Sequence, residues 1–178
     1  MRWDDRLDGV FDDLEQQAEG LALAERDALV AEQRVAEYAR VDLASRLHGS
    51  VGSRVACEVM GAGRVEGVLT RVGTGWLLVE ADHDEWLVRL AAVLGLRGLA
   101  ERAVTEDLRR VTARLGVGSA LRQVAEDRAE VLVHRVDGDV LRVRLGRVGA
   151  DFVEVADAGT GQRSALPFTA VAALRHAP

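Results

Sequence analysis

The chain has 178 residues, 48% apolar and 29% charged, enough for one sizeable domain or two small ones of ordinary globular composition. Its formal net charge is −6, which counts against an extended nucleic-acid surface and leaves room only for a local basic patch. No apolar run approaches the roughly 18–20 residues of a membrane span. The acidic start MRWDDRLDG lacks the apolar core of a secretory signal, so a cytoplasmic location is expected.

All 23 basic residues are Arg, and Lys, Ile and Asn are absent. That usage follows a GC-rich genome, because the missing residues need A/T-rich codons, and it is not a sign of phosphate recognition. Residues 1–50 carry 12 acidic residues against six Arg, so they hold the whole net charge, since residues 51–178 carry 17 of each.

Residues 2–47 lack proline and are rich in Ala, Leu, Glu, Arg and Gln, the composition of a helix. Two seven-residue registers run along it. Leu7, Leu14, Leu21, Ala28 and Val35 form one, and Trp3, Val10, Gln17, Ala24, Ala31 and Tyr38 the other. The candidate association seam is Trp3, Leu7, Val10, Leu14 and Leu21. A single helix of this length would reach roughly 60–70 Å at 1.5 Å per residue. It therefore either folds back at Gly20 as a helical hairpin or pairs with another chain; the heptad phase carries through Gly20 unchanged.

His48–Ser53 breaks the helix, and from Arg54 the period becomes two. Val55, Cys57 and Val59 share one face. A turn at Gly61–Gly63 leads to Val65, Gly67 and Leu69, and Gly67 suits a sharp mid-strand bend. Then come the run Trp76–Val79, a polar loop Asp82–Glu85, the run Trp86–Leu90 and a last strand from Ala92 to Leu96. Residues 99–127 return to helical character, with Thr105 and Ser119 as expected caps, and Val131 and Val133 open a second strand set.

That second set is a degenerate copy of the first. Leu69-x-Arg71-Val72-Gly73 returns as Leu145-x-Arg147-Val148-Gly149, Trp76 as Phe152, and Ala92-Val93-x-x-Leu96-Arg97 as Ala170-Val171-x-x-Leu174-Arg175. A short helix followed by five bent antiparallel strands, with Gly67, the aromatic Trp76 and the step Leu96-Arg97-Gly98, resembles the Sm-like family in both copies. The resemblance implies an α+β fold: an N-terminal long helix or helical hairpin, then two tandem small five-stranded Sm-like or SH3-like β-barrels. The expected divisions are an acidic helical segment (1–47), a first barrel (48–100), a helical linker (101–127) and a second barrel (128–178). It also implies oligomers built through edge strands.

The RNA-binding members typically place an Asp and an Asn around the aromatic residue. Here Thr74 and Leu78, then Ala150 and Glu154, stand at those positions, and the chain has no Asn for a base edge.

No constellation of reactive residues emerges. Cys57, the single cysteine, alternates with apolar residues and reads as a buried thiol. Asp82-His83-Asp84-Glu85 reads as a solvated loop. Gly73-Thr74-Gly75 and Gly159-Thr160-Gly161 precede no helix and read as turns. No catalytic, metal or cofactor residue is therefore assigned, and no cofactor is expected. The leading expectation is a non-enzymatic interaction or scaffold protein, partnered by copies of itself or by another protein. The alternative is RNA or DNA binding through Arg122 on the helix from Ser119, or through Arg142, Arg144 and Arg147 along one strand.

Overall fold

The computed structural model describes residues 26–27, 29–82, 84–101, 103–104 and 115–177, and the structural statements below concern these. The chain divides at Val41/Asp42 into two compact units. In the first, residues 26–27 and 29–38 are helical (α1), and the helix ends in a turn at residues 39–40. Leu29, Val30, Val35 and Tyr38 are exposed on it. The seam Trp3, Leu7, Val10, Leu14 and Leu21 lies outside the described residues, as does the Thr105 cap.

The helical reading of residues 2–47, whether as one long helix or as a hairpin turned at Gly20, does not hold at its described end. A second helix, α2 (Leu43–Gly49), starts afresh after an extended Asp42, whose carboxylate accepts the Ser45 N–H at 2.6 Å. A short acidic side chain that satisfies the orphan amides of a new first turn competes with continuing the old helix. The second unit opens with α2 and continues through β1 (Arg54–Val59), β2 (Gly63–Gly73), β3 (Trp76–Ala81) and β4 (Asp84–Arg89). A 3-10 turn (Leu90–Ala92) leads to β5 (Val93–Arg97), and α3 (Val117–Glu126) precedes the second copy. That copy comprises β6 (Glu130–Arg135), β7 (Val140–Val148), β8 (Phe152–Asp157), β9 (Arg163–Pro167), a 3-10 turn (Phe168–Ala170) and β10 (Val171–His176). Asp84 and Glu85, expected in a loop, are already in β4. The cap of α3 is Gly116 rather than Ser119.

The two closed barrels are corrected outright. The strands form one open antiparallel sheet in the order β5-β1-β2-β3-β4-β10-β6-β7-β8-β9. Each half keeps the order fifth-first-second-third-fourth, but the side of β4 away from β3 is taken by β10. Leu87 pairs with Leu174, and Val88 with Ala173. The halves are fused strand to strand, and β5 and β9 are left as the outer edges.

Period two then makes two cores out of one sheet. At the junction Val88 and Ala173 face a first core with Leu47, Val55, Cys57, Leu69 and Leu77, and Ala172 joins them where a bulge in β10 interrupts the alternation. Their neighbours Leu87 and Leu174 face a second core with Trp76, Leu121, Val131, Val133 and Val143. The β4–β10 pair is thus buried on both faces, and β10 accordingly reads as the unbroken apolar run Val171–Leu174, all four buried.

The repeated motif has a packing cause. A Cβ on Gly73 would collide with the Trp76 indole, and one on Gly149 with the Phe152 ring, so each glycine lets an aromatic ring lie against the backbone. Gly67 has a packing cause too: a side chain there would run into the Glu80 carbonyl of β3, so the bare residue permits a close approach of the two strands.

Candidate functional site

Arg142, Arg144 and Arg147 stand on β7, where the register sets their partners. Glu130 lies opposite Arg144 on β6 and accepts from both Arg142 (2.8 Å) and Arg144. A register shift between Leu145 and Val148 interrupts β7–β8 pairing, and the freed Arg147 grips Glu154 through two donors at 2.9 and 3.1 Å. The hydrogen bonds from Arg147 hold the Glu154 carboxyl below the usual carboxylate range, and Arg147 is correspondingly raised.

The same register lines Arg144, Ala156 and Arg163 in one row across β7, β8 and β9, with Glu154 opposite Ala165 two rows on, the next on that face. Two adjoining hollows follow. One of about 400 Å³ lies among Ala125, Arg128 and the Arg144–Arg147 segment. The other, of about 610 Å³, runs from that segment over Glu154 and Ala156 to Arg163, Ser164 and Ala165. Arg144 and Arg147 are brought together here. Arg142 stands beside them at Glu130, and Arg122 is exposed on α3 away from the lining.

Arg128 and Arg163 were not singled out from the sequence. Arg163 carries only strand alternation as a signal. Arg128 sits just after the α3 C-cap with φ +50°, the left-handed position that glycine usually fills. The β8–β9 hairpin is closed by Asp157, which accepts the Thr160 and Gly159 amides and the Thr160 hydroxyl. The Thr160 contacts above all keep its carboxyl low.

A second cluster marks the junction. Arg175 on β10 bonds Asp84 of β4 at 2.7 Å and stands 5.3 Å from the Trp86 ring, which lies 4.9 Å from the His134 ring. Burial, then the Arg175 charge, lowers the His134 imidazole. Arg89 reaches across to the carbonyls of Phe168 and Val171, the latter at 3.0 Å. The Trp76 indole donates to the Leu115 carbonyl at 2.8 Å.

Cys57 is buried in the first core, and burial pushes its thiol up to about 11, so it is neutral near pH 7. Among the described residues no three His, Cys, Asp or Glu side chains converge to hold a metal ion, and no helix is long and apolar enough to cross a membrane. No protein-family model matches the chain, and no curated protein matches it.

Proposed function

We propose that this is a non-enzymatic interaction or scaffold protein that associates with copies of itself through the outer edges of its sheet. One observation carries the reading: the chain already joins a fourth-position strand, β4, to a fifth-position strand, β10, and leaves one strand of each kind, β9 and β5, at the open edges. A β9 edge of one copy offers β5 of the next a version of the pairing that fuses the halves. Such a head-to-tail contact generates rings or open chains.

The apolar character of β5 supports the same reading. Leu94 is 68% exposed, and the strand VLGLR carries no charge before Arg97. An edge of that kind is a template for strand addition. The short helix and the strand order of each half support kinship with the Sm-like family, by order and pairing rather than by closed barrels. A cytoplasmic setting suits a protein with one neutral, buried thiol.

Sedimentation of the intact chain tests the reading. We expect a mass above the 19.2 kDa monomer that rises with concentration, and its loss in Leu94→Asp without loss of folding. A monomer at about 100 μM would defeat it, given that specific association commonly lies at micromolar Kd or tighter.

A further inference from the structure

We infer that the turn Gly149–Phe152 is a docking slot for the start of α2, the step Asp42-Leu43, of a second copy of this chain. This contact rests on the edge association proposed above and gives it a second point of attachment, away from the strands themselves.

The equivalent turn of the first half already holds such a segment. Leu115–Val117, which leads into α3, lies along Gly73–Trp76. The Leu115 carbonyl accepts the Thr74 N–H at 3.0 Å and the Trp76 indole N–H at 2.8 Å. Gly116 bridges to Thr74, and a Val117 methyl stands 3.6 Å from where a Cβ on Gly75 would be. Under this strap Trp76 shares one core with Leu121 of α3 and Leu174 of β10. The strap is therefore continuous with the β4–β10 seam: the half that supplies β10 also supplies α3.

The turn of the second half has the same parts and is bare. Phe152 lies against Gly149 as Trp76 does against Gly73. Phe168 N–H bonds the Asp151 carbonyl as Leu90 N–H bonds that of Gly75. Among the described residues no carbonyl accepts the Ala150 N–H, the counterpart of the Thr74 N–H, and Phe152 is exposed where Trp76 is covered. Asp151 replaces Gly75, and the 3.6 Å found there is ordinary van der Waals distance, so its Cβ does not close the slot.

The chain carries a counterpart of the strap. Ser45-x-Leu47 and Arg54 return at the same spacing as Ser119-x-Leu121 and Arg128, which places Asp42 at Gly116 and Leu43 at Val117. Leu47 and Leu121 are both fully buried. Asp42 and Gly116 are both extended helix caps, with φ/ψ of −85°/160° and −77°/173°. Yet Val117 packs on the second core, whereas Leu43 is 45% exposed. When β5 of a second copy pairs with β9, its α2 arrives with it, as α3 does with β10. Leu43 then covers the Phe152 ring, and two exposed apolar side chains leave water together.

Sedimentation equilibrium of the full chain and its variants is the test. Leu43→Ser should raise the self-association Kd about ten-fold, because it strips an apolar side chain from a buried contact. Phe152→Trp should lower Kd about three-fold, by restoring the indole donor that Trp76 offers to Leu115. A predicted gain keeps the test clear of any folding defect in Leu43→Ser. If Leu94→Asp abolishes association while Leu43→Ser leaves Kd unchanged, the edges pair without the strap and this contact alone is overturned. A gain from Phe152→Trp that persists when Leu43→Ser is added would hand the slot to another segment, and overturns it as well. If instead Leu43→Ser weakens assembly and Leu94→Asp does not, the slot stands and edge pairing falls. A chain monomeric at about 100 μM overturns both.

Discussion

The β4–β10 junction and the outer β9 edge occupy equivalent places in the two halves, and they differ at each anchoring position. Register makes Arg89, Leu87 and Trp86 on β4 the counterparts of Pro167, Ala165 and Ser164 on β9. At the junction Arg89 caps two carbonyls of the other half, Leu87 is buried in its core, and Trp86 carries Arg175. At the outer edge none of these groups is present.

Pro167 goes further. Phe168 N–H bonds inward to Asp151 as Leu90 N–H does to Gly75, so the residue before each turns its backbone nitrogen away from the sheet. At 167 that nitrogen has no hydrogen to offer. The aromatic partners follow suit, with Trp76 8% exposed and Phe152 37%. One pairing geometry thus occurs as a buried seam inside the chain, while the β9 edge lacks the seam's anchors; under the proposed self-association, pairing there would be weak and reversible. A protein with anchors at both ends would polymerise without check.

The largest test of this contrast is a pair of substitutions at matched positions. Leu87→Ala opens a cavity where two cores meet and should cost about 2–4 kcal/mol in chemical denaturation. Ala165→Asp, its counterpart on the outer edge, should stay within about 0.5 kcal/mol. Equal costs would mean that the junction is no more buried than the edge.

A smaller effect separates the two fifth-position arginines. Arg97 at the free edge pairs with Glu58 at 3.1 Å, both side chains largely exposed, and such a pair is worth little. Arg175 is enclosed by Asp84, Trp86 and His134 instead. Because His134 is held below the ordinary histidine value, protonation favours the unfolded chain. Its contribution to stability is fully present above a pH of about 6.5 and is lost as the pH falls from there towards the folded value. Thermal unfolding from pH 7.5 down to 5 should therefore decline more steeply for the wild type than for His134→Phe. Parallel curves would remove the histidine from the seam.

Much of this was legible in the chain because strand periodicity and close packing write themselves into local pattern. Val55, Cys57 and Val59 alternate because one face is core, and Gly73–Trp76 and Gly149–Phe152 repeat because a ring needs a bare backbone to lie on. Closure was not legible. Whether a fourth strand pairs within its own half or with the other depends on partners far apart in sequence. The trace it left was the unbroken run Val171–Leu174, where alternation should have returned if only one face were buried. The Asp42–Ser45 cap was likewise visible as residues but was outweighed by composition that favours helix on both sides. Around the hollows, Arg144 and Arg147 stood out through alternation along one strand. Arg128 and Arg163 come from a helix end and another strand, and only the register brings them near.

Amide hydrogen exchange on the intact chain, followed at low and high protein concentration, tests most directly the claim that the chain is one fused sheet with two adhesive edges. We expect the amides of β4 and β10 to exchange only with global unfolding at both concentrations. Those of β5 and β9 should exchange quickly when dilute and gain protection as concentration rises. If β4 and β10 exchange as readily as the outer strands, or if β5 and β9 are indifferent to concentration, the fused seam or the adhesive edges, respectively, are contradicted.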